Sequence, residues 1–187
     1  MSGLGRALIV VAMVMHLGAD ADQNYECGTA TQQGWREFID RAHGFCFSYP
    51  PEYQRGARAP TSGLPPHSEA LARFVSTVPR RAYAADTENA SIEVWCLHRV
   101  FNLEELTKYA PTGVTAPPDP VHFGTNTFYY YGAGGGGVAY PDRYYFNLRG
   151  RALEILFDGP YNGKQKSPAP ETQAIEKAIL SSFRAKR

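Results

Sequence analysis

Aromatic side chains crowd one short stretch of this chain. Phe128, Tyr129, Tyr130, Tyr131, Tyr140, Tyr144, Tyr145 and Phe146 fall within 19 residues, interrupted by the glycine-rich segment 132–137. Consecutive residues of a β-strand point to opposite faces, so a sheet built from this stretch carries rings on both sides. If other elements cover both faces, the rings are core and their hydroxyls reach the rim. A second reading leaves Tyr129, Tyr131 and Tyr140, beside the glycine tip, as an exposed platform. Tyrosine offers large area at little rotamer entropy, which suits a protein partner or a glycan. Arg143, Arg149 and Arg151 lie close by in sequence. They would add planar donors for carboxylates, although a solvated strand edge explains them more simply.

The rest of the chain also reads mainly as strands. Phe45, Phe47 and Tyr49 alternate strictly, and Asp40 to Gly44 has turn chemistry, so Trp35–Ile39 and Gly44–Tyr49 form a hairpin stopped by Pro50 and Pro51. Residues 52–69 are a long Pro/Gly/Arg/Ser loop. Leu71–Val78 and Ser91–Leu97 are strands joined by the polar segment Pro79–Asn89. Asn102 with Glu105 makes a capping box for a short helix over Leu103–Tyr109, which the prolines of 111–120 end. Strands follow at Thr125–Tyr131, Val138–Tyr140, Arg143–Arg149 and Arg151–Asp158, with Arg149-Gly150 as a tight turn. After the loop 159–169, Ile175, Ile179 and Phe183 sit at helical spacing, marking a helix over Glu171–Arg184 that lays one face on a sheet. The expected fold class is α+β: a twisted antiparallel β-sheet with helices packed on its faces.

Several of these residues together resemble the PsbP-like family. They are Trp35, Asp40 and Gly44-Phe45-Cys46-Phe47-Ser48-Tyr49-Pro50 at the start, Tyr145-Phe146, Gly150 and Ile155 in the later strands, and Ile179-Leu180-Ser181-Ser182-Phe183-Arg184 at the end. The resemblance spans about residues 35–184 and implies an α/β/α sandwich. It also implies an accessory or binding role on larger assemblies, and the family has no shared catalytic residues to transfer. The Pro-rich loop at 55–68 and the three cysteines have no place in that pattern.

The N-terminus reads as an export signal. Arg6 precedes an apolar run from Ala7 to Leu17, and small residues at Ala19 and Ala21 fit signal peptidase. The run is little more than half of the roughly 20 residues that a bilayer span needs. Cleavage after residue 21 divides the chain into a signal peptide (1–21), an N-terminal extension (22–34) and one domain (35–187). The length of 187 residues suits a single domain that buries about 70% of its unfolded surface. A periplasmic or secreted location follows, without stable membrane insertion after cleavage. In that oxidising setting Cys27, Cys46 and Cys96 allow one disulfide and leave one thiol, with Cys27 the favoured partner because its segment is otherwise held by little.

Other chemistry is sparse. Lys+Arg number 19 against 18 Asp+Glu, a net charge of +1, which argues against nucleic acid or anionic membrane as the main partner. His43, His67, His98 and His122 show no metal-ligand spacing, and no GxSxG appears. Gly159 to Gln165 fails as a phosphate loop, because its spacing is short by one and Gln165 stands where Ser or Thr belongs. Asp86 to Asn89 lacks the alternation of a calcium loop. No cofactor, metal or catalytic residue is expected. The expected function is an exported, non-catalytic accessory domain that recognises a protein partner in the cell envelope, with Tyr129, Tyr131, Tyr140 and Arg143 as its surface. The alternative is a glycan or small-molecule module using strands 128–146, and an envelope hydrolase ranks last.

Overall fold

A computed structural model describes residues 32–57, 68–78, 80–81, 87–108, 116–131, 141–159, 161–162, 167–168 and 170–186. The expectations for the signal segment 1–21, Cys27, the glycine tip, Tyr140 and the strand Val138–Tyr140 lie outside the described residues.

The alternating aromatics at the start form the expected hairpin. β1 (Arg36–Asp40) pairs antiparallel with β2 (Phe45–Tyr49), and Phe38 lies opposite Phe47. Its turn is closed by Asp40, whose carboxylate accepts from the His43 amide at 2.9 Å and whose carbonyl accepts from the Gly44 amide at 2.8 Å. Gly44 has φ +75°, a conformation that glycine enters without strain. β3 (Tyr53–Arg55) and β4 (Glu69–Ser76) follow. The polar connection then contains a two-residue ribbon, β5 (Arg80–Arg81) with β6 (Thr87–Glu88). Next come β7 (Ser91–Val100) and the five-residue helix α1 (Leu103–Thr107), where the Asn102 side chain accepts from the Glu104 amide. A meander of β8 (Asp119–Phe123), β9 (Asn126–Tyr131), β10 (Asp142–Leu148) and β11 (Arg151–Asp158) follows. A short ribbon, β12 (Tyr161–Asn162) with β13 (Ser167–Pro168), leads to α2 (Pro170–Ser182) and β14 (Arg184–Ala185).

The strands assemble into a seven-stranded antiparallel sheet, ordered β3-β4-β7-β11-β10-β9-β8, and a three-stranded antiparallel sheet, β1-β2-β14. This corrects the expected α+β sandwich with helices on its faces: the fold is β-rich, and among the described residues its helices are short, 5 and 13 residues. The physical reason lies in what fills the core. Phe38, Phe45 and Phe47 come from the small sheet and share one cluster with Phe74, Ile92, Phe128, Leu153 and Ile155 of the large one. α2 adds Ile179 and Leu180 to that cluster, and Phe183 joins just beyond it. Strand side chains therefore supply much of the cover that helical spacing at Ile175, Ile179 and Phe183 assigned to a helix. The opposite face of the large sheet carries a smaller cluster, with Trp95, Leu97, Tyr131 and Tyr145 under Leu106 of α1.

Candidate functional site

Strand alternation divides the aromatic stretch between the two faces. Phe128 and Tyr144 are buried in the larger cluster, with Tyr130 and Phe146 packed against it, whereas Tyr131 and Tyr145 are buried in the smaller one. Tyr131 is only 4% exposed, and its hydroxyl has two acceptors for its one proton, Thr107 Oγ1 and the Ala116 carbonyl, each at 3.3 Å. Burial pushes its pKa up, opposed by the hydrogen bond to Thr107. Tyr129 is half-buried, its ring 5.2 Å from that of Phe101. Among the described residues, then, this stretch forms two packed layers rather than an open row of rings.

Arg143 is committed to the interior as well. Its guanidinium lies 3.2 Å from Glu154, to which the Tyr145 hydroxyl also donates at 3.0 Å. Arg143 faces Glu154 because β10 and β11 place both on the face that carries Tyr145. Burial pushes the Glu154 carboxyl above its ordinary value against the pull of Arg143 and Tyr145. The Tyr145 phenol is held well above 10, first by burial and then by the Glu154 charge. Beside this triad, Arg73 pairs with Glu93 at 3.1 Å, and the Trp95 indole donates to Glu93 at 3.3 Å.

A second polar group lies on the other face, under α2. Asp142 and Glu176 are 2% and 3% exposed, and the Tyr130 hydroxyl donates to Asp142 at 2.7 Å. The Glu176 carboxyl is pushed up to about 9 by burial, then by the charge of Asp142 and a hydrogen bond with it, while Lys177 pulls the other way. Such a pair holds a proton between two buried carboxyl groups. It is packed under the helix as part of the core wall.

Among the described residues, one open feature is a cavity of about 290 Å³ where the two sheets meet, lined by Ala42, His43, Cys96, Leu148, Arg149 and Arg151. Ala42 and His43 come from the β1–β2 turn, Cys96 from β7, and the rest from the β10–β11 hairpin. The Lys186 peptide ties these parts together: its N–H donates to the Gly44 carbonyl at 2.8 Å, and its carbonyl accepts from Arg149 Nε at 3.1 Å. His43 is held by Asp40, Nδ1 to Oδ2 at 3.0 Å, with Glu69 3.8 Å from Nε2. Among the described residues, no carboxylate stands within ion-pair distance of Arg149 or Arg151. Cys46 is disulfide-bonded, and Cys96 is buried and forms no disulfide.

Sequence reading named Arg149, Arg151 and His43 without joining them. The signal that links them is the turn itself, since Arg149 stands where a two-residue hairpin favours Asn or Gly. His122 is exposed and shares a 3.1 Å hydrogen bond with Thr127. No metal-binding group of three or more His, Cys, Asp and Glu occurs among the described residues.

No protein-family model matches the chain, and no curated protein matches it either. The PsbP-like resemblance therefore rests on its short motifs alone.

Proposed function

We propose that this chain is an exported, non-catalytic binding module of the periplasm or extracellular space, which holds a protein partner at the seam between its two sheets. The cavity carries this reading. At about 290 Å³ it sits at the lower end of the range for small-molecule pockets, so it suits a single group projecting from a larger partner. Its lining comes from three separate elements, and hydrogen bonds hold His43 and Arg149 in place, the kind of preorganisation that recognition requires. The tyrosine strands support a glycan platform less well, because Tyr131 is buried and Tyr129 is half-buried. No helix among the described residues is long and apolar enough to cross a membrane.

The test is site-specific photo-crosslinking in envelope extract. A crosslinker at the exposed Ala42, on the seam, should yield one discrete adduct, whereas one at His122 on the β8 edge should not. Adducts from His122 alone, or equal labelling at both, would place recognition elsewhere. Export is checked by fractionation: the expected mature chain begins at Asp22 in the envelope fraction, and a cytosolic chain retaining residues 1–21 would refute it.

A further inference from the structure

Arg149 has φ +54°, and among the described residues it is the non-glycine residue with positive φ. With Gly150 at φ +80° it forms the two central residues of the β10–β11 hairpin, between the facing Leu148 and Arg151. Positive φ at both positions is the type I′ geometry, for which Asn-Gly is the favoured pair. A long side chain there is strained, and strained residues persist where the surroundings fix them, often at functional sites. Here Arg149 lines the cavity, with Nε engaged by the Lys186 carbonyl and its terminal nitrogens left over. Arg151 joins it on the same wall.

The charges select a ligand. His43 stands between two carboxylates, Asp40 at 3.0 Å and Glu69 at 3.8 Å, so the positive charge not balanced locally belongs to Arg149 and Arg151. Asp40 and Glu69 would repel a phosphate dianion more than a monoanion. Guanidinium groups match the planar, two-oxygen edge of a carboxylate. The remaining lining, Ala42, Leu148 and Cys96, is apolar or weakly polar. We propose that the seam cavity binds a carboxylate carried on a short apolar stem, held by the guanidiniums of Arg149 and Arg151. This rests on the binding-module reading above and names the group the cavity takes. That carboxylate ends either a free organic acid or a polypeptide chain.

The test uses the full mature chain and backbone-amide NMR. The probes are butyrate for a free acid, N-acetyl-alanyl-alanine for a chain end, the amide of each as an uncharged control, and inorganic phosphate. Saturable shifts at residues 42–44 and 148–151 with a carboxylate, and not with its amide, are expected. The tighter-binding acid identifies the source. Arg149→Asn should fold with an unchanged or higher Tm, because Asn is at ease at that φ, yet bind about tenfold to a hundredfold more weakly. Arg151→Gln should weaken binding similarly, while Lys108→Gln at the end of α1 should not. Binding should also fall as salt rises. Equal binding of acid and amide, binding of phosphate alone, no saturable shift, or full affinity in Arg149→Asn would each overturn the proposal. A crosslinked partner at Ala42 together with any of those results would leave the binding module standing and remove only the carboxylate.

Discussion

Single residues in this molecule are constrained by backbone geometry in one place and by buried charge in another. Gly150 has open space around the position of a Cβ, so an alanine there meets no neighbour and any cost is conformational. With φ at +80°, Gly150→Ala should lose about 1 kcal/mol, read as a lower urea midpoint at unchanged slope. A loss of only a few tenths would show that the turn relaxes. Arg143 and Glu154 present the opposite case. The Glu154 side chain is 2% exposed and depends on Arg143 at 3.2 Å for compensation. Arg143→Met strands a buried carboxylate and should destabilise the fold by about 3 kcal/mol. Adding Glu154→Met should restore most of that loss, because a buried ion pair and a packed apolar pair are often similar in net stability. If the double variant is as unstable as the single one, Arg143 acts through packing of its stem rather than through charge.

At the scale of elements, the contact of α2 with the large sheet holds the most distinct titration. Glu176, on the buried side of α2, has its carboxyl pushed from 4.5 to about 9, facing Asp142 and near Tyr130, Tyr144 and Lys177. A folded-state value above the unfolded one means that folding favours the protonated form. This contribution is fully present below about pH 4.5 and is lost progressively as pH rises toward about 9. Glu176→Gln keeps a neutral donor for Asp142 without that dependence. Its urea midpoint should exceed that of the wild type near the upper end of this range, and the advantage should shrink toward the lower end. A constant difference across the range would mean that Glu176 is not the titrating group. This same contact shows what sequence periodicity captures. Ile175 and Ile179 reveal the helix, with Phe183 falling just past its end, and Phe45, Phe47 and Tyr49 reveal the hairpin, because each pattern matches the period of its element. The partition of cover between helix and small sheet was hidden, since it depends on which buried face meets which. β14 has only two residues and is defined by its pairing with β2, so no local pattern announces it. β8 begins with Asp119 and Pro120 at a sheet edge, where proline is tolerated but reads as loop. The seam cavity was hidden for the same reason: the residues lining it come from three separate elements.

For the whole molecule, the cysteines set an expectation for the segment that precedes the folded body. Cys46 lies in the middle of the small sheet, opposite Ile39 on one side and Arg184 on the other, and it is fully buried. Cys96, on β7, forms no disulfide, so the three-cysteine inventory points to Cys27 as the expected partner of Cys46. That bridge would close a loop of about 20 residues and stabilise the domain by about 3 kcal/mol in the chain-entropy account. It would also anchor the extension 22–34 to β2, next to the β1–β2 turn whose Ala42 and His43 line the seam. The expected outcome is direct to read. Alkylation of the denatured, unreduced chain should add one label, at Cys96, and prior reduction should raise this to three. Reduction should lower the urea midpoint of the wild type, and it should leave a Cys27→Ser, Cys46→Ser variant, already weakened by about the same amount, unchanged. Three labels before reduction would remove the bridge. A single label at Cys27 or Cys46 would show that Cys96 is paired instead, which would take the thiol from the cavity wall.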